Sequence, residues 1–429
     1  MSDIISSYET LIIPKRNQSD IAVYEKNDGY SALKRVMADT KSEFKRENVV
    51  NEVKAANLRG RGGAGFNAGL KWSFMPQPDG GKRYLAANGD ESEPGTFKDR
   101  VIFEYNPHLF IEGAVLAAYA IQADAVYVYI RGEYRSQIQM LEKAIKQAYD
   151  KNYLGKNILG SGVDIEMYVH MGAGAYICGE ESSLMESLEG KRGYPRVKPP
   201  FPAQKGLWGR PTTINNIETL SNVPLIMNMG ADKWSSIGAE KHPGPVLYGI
   251  SGHVNKPGVY EYPTGMPILE LINEVAGGIR GGKKFKGLVP GGSSTPILRA
   301  DQCEGTSMDA DSLREAGSMM GTAGMCVLDE DTDMVDFLWR ISHFYHHESC
   351  GQCTPCREGT GWLEKTLLKI KRGDGEIRDL DLLLDITTQM EGRTICALAD
   401  AAAWPVRHTI TRFRDEFEAR CKKSTFAVA

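Results

Sequence analysis

The sequence predicts an α/β protein with a largely parallel β-sheet in its first half, followed by a small β-grasp domain and a C-terminal helical bundle. Three patterns support this prediction: strands alternate with helices over residues 83–169, short strands surround one helix after residue 240, and apolar residues recur at helical spacing beyond Thr332. Alternation of strands and helices is typical of parallel sheets covered by helices. The 429 residues are enough for about three domains.

Three strands and three helices are predicted in the first half. Residues 83–88 form a strand that leads into an acidic turn, residues 125–130 form a second strand, and alternating apolar residues over 163–169 form a third. The helices are predicted at 66–74, 111–121 and 137–149.

The second half changes pattern. Strands at 246–250 and 259–262, a helix at 267–275 and further strands around Leu288 and Val327 give the β-β-α-β order of a β-grasp domain. An apolar stripe then predicts a helix, and three more helices follow, bounded by Gly373, Gly392 and Pro405. The stripe consists of Met334, Phe337, Leu338, Ile341, Phe344 and Tyr345.

Composition and charge narrow the class of protein. Hydrophobic residues make up 41% and charged residues 25% of the chain, as in ordinary soluble globular proteins. The 51 basic and 55 acidic residues give a net charge of −4, which argues against nucleic-acid binding. The most apolar stretch, residues 110–130, is interrupted by Glu112, Gln122 and Asp124, so no direct membrane insertion is expected. No secretory signal is visible, so a reducing compartment is expected.

A glycine-rich loop at residues 60–65 contains the pattern GxGxxG, through Gly60, Gly62 and Gly65. In a dinucleotide-binding fold this pattern must follow a strand, but residues 49–58 have helical spacing, so the usual context is missing. The loop still enters a predicted helix at Phe66, whose free N–H groups and positive end suit a phosphate. Contact with a phosphate or a flavin is therefore favoured over a mere tight turn.

Two further loops each allow two interpretations. The acidic turn at 88–93 follows a strand, where α/β sheets bind ligands. Taken alone it is better explained as a solvated loop, because its carboxylates repel a phosphate unless they bind sugar hydroxyls or a carboxamide. The stiff loop from Lys198 to Phe201 offers an ammonium group and an aromatic face to a nucleotide, or else forms a structural corner.

Three cysteines lie within seven residues, at Cys350, Cys353 and Cys356. Such crowding in a reducing compartment favours metal ligation over disulfides. Three thiolates plus a distant fourth, for which Cys396 is the best candidate, are typical of iron–sulfur clusters, whereas zinc sites usually have two separated pairs. Structural zinc remains the alternative, as does ligation by His346 or His347 in place of Cys396.

Six motifs together closely resemble the NADH-binding flavoprotein subunit of respiratory complex I, which is the NuoF-type chain of bacteria and the 51-kDa subunit of mitochondria. They occur in order over nearly the whole chain: GRGGAGFNAGLKWSF, NGDESEPGTFKDR, GAGAYICGEESSL, VKPPFPA, PTTINNIETL and ESCGQCTPCREGT. The resemblance implies FMN, one [4Fe–4S] cluster and NADH as substrate. It implies an N-terminal segment with the glycine-rich loop (1–68), a Rossmann-like FMN/NADH-binding domain (69–236), a ubiquitin-like β-grasp domain (237–328) and a helical bundle carrying the cluster (329–429).

The resemblance also assigns site residues. The FMN pocket falls on Gly60, Arg61, Gly62, Lys71, Asn88, Asp90, Tyr176, Gly179, Glu180, Asn215 and Asn216. The NADH contacts fall on Phe66, Phe74, Glu93, Glu181, Lys198 and Phe201. The cluster ligands fall on Cys350, Cys353, Cys356 and Cys396. Glu93, Glu181 and Tyr176 are the candidate catalytic residues.

The chemistry of these cofactors fixes their order. NADH releases two electrons as a hydride while a cluster accepts one, so FMN is expected between them. Carboxylates near the sugars disfavour the 2′-phosphate of NADPH, so preference for NADH is expected.

The implied partners are a thioredoxin-like [2Fe–2S] subunit and a large iron–sulfur subunit. The implied location is peripheral, on the cytoplasmic side of the inner membrane. One alternative is the diaphorase subunit of an NAD-linked hydrogenase or formate dehydrogenase. Many of those subunits carry extra domains, for which the roughly 59 residues before the glycine loop and 33 after Cys396 leave no space. The other alternative is a non-enzymatic zinc-binding docking protein.

Overall fold

The computed structural model describes residues 2–422, which begin with five short helices. Residue 1 and residues 423–429, at the outer ends of the first and last predicted domains, lie outside the described part. The helices are α1 (Ser2–Ser7), α2 (Ile21–Lys26), α3 (Ser31–Ala38), α4 (Arg46–Ala55) and α5 (Ala68–Ser73). The helical spacing before the glycine-rich loop is thereby confirmed as α4.

A four-stranded parallel sheet follows. Its strands are β1 (Tyr84–Gly89), β2 (Ala125–Ile130), β3 (Glu166–Met171) and β4 (Thr212–Asn216). They lie in the order β3-β2-β1-β4, and all three pairs are parallel. The chain thus adds β2 and β3 on one side of β1 and β4 on the other. A crevice forms at the carboxyl ends of strands where such an order reverses, and ligands bind there in sheets of this kind.

Seven helices accompany this sheet. They are α6 (Asp99–Tyr105), α7 (Pro107–Ile121), α8 (Arg135–Asp150), α9 (Glu181–Leu188), α10 (Ile217–Ser221), α11 (Val223–Met229) and α12 (Ala231–Ser235). Every residue of α7 is buried, so the most apolar stretch of the chain forms the core of the first half. Within residues 2–422, no helix combines the length and the apolarity needed to cross a membrane.

A second sheet of five strands has the order β10-β9-β11-β7-β8, in which only the β11–β7 pair is parallel. The elements of this region are β5 (Gly238–Ala239), β6 (His242–Pro243), β7 (Pro245–Gly252), β8 (Gly258–Pro263), α13 (Ile268–Glu270), β9 (Phe285–Val289), β10 (Leu298–Arg299), α14 (Ala310–Glu315) and β11 (Gly324–Asp329). A π-helical turn, Leu271–Val275, continues α13. The predicted β-β-α-β order is present, with β10 and α14 as additions too short for a pattern to predict.

Five helices end the described chain: α15 (Met334–Glu348), α16 (Thr354–Lys371), α17 (Ile377–Met390), α18 (Leu398–Arg412) and α19 (Arg414–Arg420). The predicted boundary at Pro405 is wrong, because this proline lies inside α18. Proline removes one helical hydrogen bond, but nine buried residues hold α18 in the core of the bundle-like region. Four helices follow α15 rather than the three predicted, because α19 comes after α18.

Candidate functional site

Three asparagines meet at the crevice formed by the carboxyl ends of β1 and β4. Asn88 of β1 pairs in register with Asn216 of β4, and Asn215 precedes Asn216 in that strand. The Asn88 Nδ2 donates to the carbonyl of Gly179 (2.8 Å), and the Asn215 Oδ1 accepts from the indole of Trp72 (2.8 Å). The fold thus brings residues about 130 positions apart to one edge of the sheet, at the end where parallel sheets bind ligands.

The glycine-rich loop is closed by an antiparallel bridge between Arg59 and Asn67 and by a bond from the N–H of Gly60 to the carbonyl of Phe66 (2.9 Å). Helix α5 begins at Ala68 rather than at Phe66, because the Asn67 Oδ1 accepts the N–H of Leu70 and caps it. A Cβ on Gly62 would lie 3.0 Å from the Cβ of Asn216. The backbone of the loop therefore lies directly against the end of β4.

The side chain of Arg61 binds backbone carbonyls, although the resemblance assigns this residue to the FMN pocket. Its Nη2 donates to the carbonyls of Pro243 (2.7 Å) and Pro245 (3.0 Å), and the residue is only 3% exposed. Its backbone N–H donates to the Thr219 hydroxyl (2.8 Å). Arg61 thus ties the glycine-rich loop to both α10 and the segment that begins β7.

The acidic turn after β1 is not a solvated loop, since each of its carboxylates has a distinct environment. Asp90 is 9% exposed, its Oδ2 has no partner among the described residues, and burial raises its pKa to about 7. Glu91 accepts from the N–H groups of Lys98 and Asp99 and so caps α6. These two carboxylates are turned inward.

Glu93, the third carboxylate of the turn, joins three parts of the chain. It accepts from the Tyr176 hydroxyl (2.5 Å) and from the Ser294 N–H (2.7 Å), and the Ser293 hydroxyl lies 3.2 Å away. Its position is therefore fixed by the turn that contains Tyr176 and by a loop of the second sheet.

Glu181 lies between two lysines at the start of α9. The Lys71 Nζ is 3.0 Å and the Lys198 Nζ 2.6 Å from its carboxylate, and Lys198 also pairs with Glu180 (3.1 Å). Burial alone would raise the pKa of the Glu181 carboxyl group, but the two lysines lower that pKa to about 2. Glu180 accepts from the N–H groups of Ser182 and Ser183 and caps α9. The carboxylate of Glu181 is therefore ionised, with its charge balanced.

The candidate aromatic contacts are exposed. The rings of Phe66 and Phe74 lie 6.1 Å apart and are 47% and 55% exposed, and Phe201 is 54% exposed in the loop after Lys198. Large apolar side chains are usually buried, so a pair of exposed aromatic rings marks a surface suited to a planar ligand. The structure brings Phe66 and Phe74 together, whereas Phe201 lies in a separate loop.

The four candidate cluster ligands line one small cavity. Cys350 and Cys353 come from the connection into α16, Cys356 lies in the first turn of α16, and Cys396 comes from the connection into α18. Gly351 has φ +79°, a conformation that favours glycine and lets the chain turn between the first two cysteines. Two helical connections thus surround a space with four sulfur donors.

The donor set fits a cluster of several irons, in which each thiolate binds a different metal atom around a shared volume. Burial raises the pKa of Cys396 to about 12 and also raises that of Cys356, so these thiols need nearby positive charge to ionise. Among residues 2–422, no three Cys, His, Asp or Glu side chains form a group that could hold a single ion. His346 binds Glu364 (2.5 Å) rather than lining the cavity.

A single turn, Tyr176–Gly179, belongs to both sites. Ile177 lines the cysteine cavity, while the Gly179 carbonyl binds Asn88 in the crevice. The backbone N–H of Tyr176 donates to the Glu348 carboxylate (2.9 Å), and Glu348 lies two residues before Cys350 in the chain. The crevice and the cysteine cavity therefore share a wall only one turn thick.

Sequence reasoning missed a buried ion network behind the asparagines. The Lys98 Nζ pairs with Asp99 (3.0 Å) and Glu218 (2.5 Å), and Asp99 accepts from the Asn216 Nδ2 (2.6 Å). All three charged side chains are almost completely buried. The only signal in the sequence is the charged residues of FKDR and NIETL beside apolar segments.

Comparison with known proteins gives consistent matches. Residues 53–225 match the Nuo51 FMN-binding domain, residues 247–335 the SLBB domain, and residues 336–420 the NADH-ubiquinone oxidoreductase-F iron-sulfur binding region. The chain is 52% identical over 376 residues to the NADH-quinone oxidoreductase F subunit of Rickettsia bellii, covering 87% of this chain and 90% of that protein. It is 52% identical over 382 residues to an F subunit of the same enzyme from Rhizobium meliloti, covering 89% and 88%.

The similarity extends to solved structures. A chain of an NAD+-reducing [NiFe]-hydrogenase in the air-oxidized state superposes with a TM-score of 0.83 at 33% identity, covering 99% of this chain and 71% of that one. The α/β fold with its parallel sheet and helices is therefore close to that of the hydrogenase chain.

Proposed function

This chain belongs to the family of NADH-quinone oxidoreductase F subunits, and from that premise we propose which of its residues perform each part of the family's reaction. The chain oxidises NADH through FMN and passes the electrons to a [4Fe–4S] cluster as a subunit of complex I. FMN supplies the conversion of a two-electron hydride into single electrons. The 52% identity to F subunits, against 33% to the hydrogenase chain, favours complex I over the diaphorase alternative.

The crevice between β1 and β4 suits FMN. Asp90 has a buried carboxylate oxygen without a partner, which a ribityl hydroxyl would satisfy, and Gly62 leaves no room for a side chain beside Asn216. We assign FMN binding to these residues together with Gly60, Arg61, Lys71, Asn88, Tyr176, Gly179, Glu180 and Asn215. Arg61 contributes by fixing the loop, since its guanidinium binds Pro243 and Pro245.

NADH is assigned to the exposed side of the same crevice. Phe66, Phe74 and Phe201 offer aromatic faces for the adenine, and Lys198 and Glu181 offer polar contacts for the ribose and nicotinamide portions. Glu93 and Tyr176 hold each other through a 2.5 Å hydrogen bond and so keep the nicotinamide end ordered. Proton abstraction by these residues is not required, because a hydride leaves with both electrons.

The observation that carries this proposal is the turn Tyr176–Gly179, which contacts the crevice on one side and the cavity of Cys350, Cys353, Cys356 and Cys396 on the other. A short separation between redox centres is what electron transfer needs, and the protein's part is to hold both in place.

Finer assignments of architecture and assembly follow from the family. We assign residues 69–236 to a Rossmann-like domain, 237–328 to a ubiquitin-like β-grasp domain, and 329–429 to the helical bundle that carries the cluster. The proposed partners are the thioredoxin-like [2Fe–2S] subunit and the large iron–sulfur subunit. The proposed location is the cytoplasmic side of the inner membrane.

Substitution of one cluster ligand tests the assignment. Cys353→Ser should prevent the cluster from being held, so that acid-labile sulfide and the broad visible absorbance of the cluster disappear. FMN should stay bound, and NADH should still reduce an artificial acceptor. Cys421→Ser, at a cysteine outside the cavity, is the matched control and should change neither. Loss of FMN with an intact cluster would contradict the proposal, and a colourless chain containing zinc would favour the docking-protein alternative.

A further inference from the structure

A second cavity, of about 620 Å³, lies at the amino end of β1, whereas the crevice lies at its carboxyl end. Lys45, Arg46, Trp72, Arg83, Gln122 and Ser161 are among its lining residues. Its volume falls within the 300–1,000 Å³ typical of small-molecule sites. The reaction described above makes no use of it.

Arg83 is a buried guanidinium that forms no direct ion pair among the described residues, although Asp124 accepts its backbone N–H (2.9 Å). It is 4% exposed, its Nη1 donates to the Pro76 carbonyl (2.8 Å), and its Nε has no partner among residues 2–422. The neighbouring acids are already paired, Asp79 with Arg210 (2.6 Å) and Asp124 with Lys82 (2.8 Å). Arginine cannot lose its proton to relieve such burial, so an unpaired buried guanidinium favours a bound anion.

The N-terminus of α4 meets the same cavity. Lys45 is the N-cap residue of this ten-residue helix and makes no side-chain capping bond, while its carbonyl accepts from the N–H groups of Asn48 and Val49. A helix N-terminus carries partial positive charge. Arg46 adds a second guanidinium, held by the Gln122 Oε1 (2.6 Å), and Glu47 is the single acidic residue in the lining.

We propose that this cavity binds an oxyanion of the phosphate class, held by Arg83, by Arg46 and by the N-terminus of α4. Three basic side chains against one acidic one, beside the positive end of a helix, are complementary to such a group. The phosphate group comes either from a free inorganic anion or from a small phosphorylated molecule. Both share the recognition chemistry, and the experiment separates them.

Calorimetric titration of the cofactor-loaded full chain tests the proposal, with NAD+ saturating the nucleotide site. Pyrophosphate and AMP are the probes, used in separate titrations at constant ionic strength. We expect one additional site, at least tenfold weaker in Arg83→Gln and about threefold weaker in Lys45→Gln. Lys54→Gln removes an exposed charge from the same helix α4 that does not line the cavity, and this variant should bind as the unmodified chain does. Tighter binding of AMP than of pyrophosphate would identify a phosphorylated molecule, and the reverse a free anion.

Thermal stability separates binding from folding. Without anion, Arg83→Gln should melt at or above the temperature of the unmodified chain, because it removes an unpaired buried charge. Pyrophosphate should then raise the melting temperature of the unmodified chain but not that of the variant. Absence of an additional site in the unmodified chain, or unchanged affinity in Arg83→Gln and Lys45→Gln, would overturn the proposal. If Arg83→Gln does not fold, the same titration is made with Lys45→Gln, a substitution at an exposed residue.

Discussion

At the scale of single residues, the environment decides what each carboxylate of the site can do. Asp90 is buried with one carboxylate oxygen unpartnered, Glu93 is held by the Tyr176 and Ser293 hydroxyls and one backbone N–H, and Glu181 is balanced by two lysines. The motifs predict that these positions matter, but composition and spacing carry no information about burial or pairing. In the same way, no pattern indicates that the Arg61 guanidinium binds the carbonyls of Pro243 and Pro245.

Asp90 makes the stability of the FMN-free chain depend on pH. Burial raises its folded-state pKa to about 7, whereas the unfolded value is about 3.9. The folded state therefore keeps a proton that the unfolded state has lost, so this stabilisation is complete at low pH and disappears as the pH rises through 7. We expect the free energy of unfolding of the unmodified chain to fall between about pH 4 and 7 relative to Asp90→Asn, and to level off above that range. Urea unfolding at each pH measures this, and parallel curves for both proteins would rule it out.

Glu181 is expected to help exclude NADPH. Glu181→Gln removes the carboxylate that Lys71 and Lys198 share, which frees Lys71 for a 2′-phosphate and leaves Lys198 with Glu180 as its one acidic partner among the described residues. We expect kcat/KM for NADPH relative to NADH to rise roughly tenfold, the effect of about 1.4 kcal/mol of charge interaction. Steady-state kinetics with both nucleotides measure it. Glu186→Gln, on the same helix but paired with Arg196, is the control, and an equal change in both variants would contradict this role.

At the scale of elements, three of the four strands of the parallel sheet are predictable from the sequence, whereas β4 and the local ends of elements are not. The strand at 125–130 is confirmed residue for residue, because a run of β-branched and aromatic residues has one preferred conformation. Helix α5 starts two residues later than predicted, since the capping bond of Asn67 decides its beginning. Pro405 lies inside α18, where burial of the helix outweighs the local tendency of proline to end a helix.

The anchoring of α6 to the end of β4 depends on Asp99, which accepts from Asn216 and pairs with Lys98. Asp99→Asn should weaken FMN binding and lower the free energy of unfolding by about 3 kcal/mol, because it disturbs a buried charge network. Flavin retention and denaturant unfolding are the two measurements. Asp79→Asn, at an exposed ion pair, should leave both the free energy of unfolding and flavin binding nearly unchanged. Equal effects at the two positions would show that the network does not support the crevice.

At the scale of the whole molecule, three regions of the chain contribute to one electron path. The parallel sheet supplies the crevice, the second sheet holds Glu93 through Ser293 and Ser294, and the C-terminal helices supply the four cysteines. The order of motifs along the chain predicts the parts but not their contacts. That the crevice and the cysteine cavity share the turn Tyr176–Gly179 is a property of tertiary packing, for which a single sequence has no signal.

The most direct test of this arrangement is an anaerobic titration of the cofactor-loaded chain with NADH, followed by low-temperature EPR. Because one turn separates the crevice from the cysteine cavity, NADH should produce the signal of a reduced [4Fe–4S] cluster, and Cys353→Ser should abolish that signal. A flavin that NADH bleaches beside a cluster that only dithionite reduces would contradict the account.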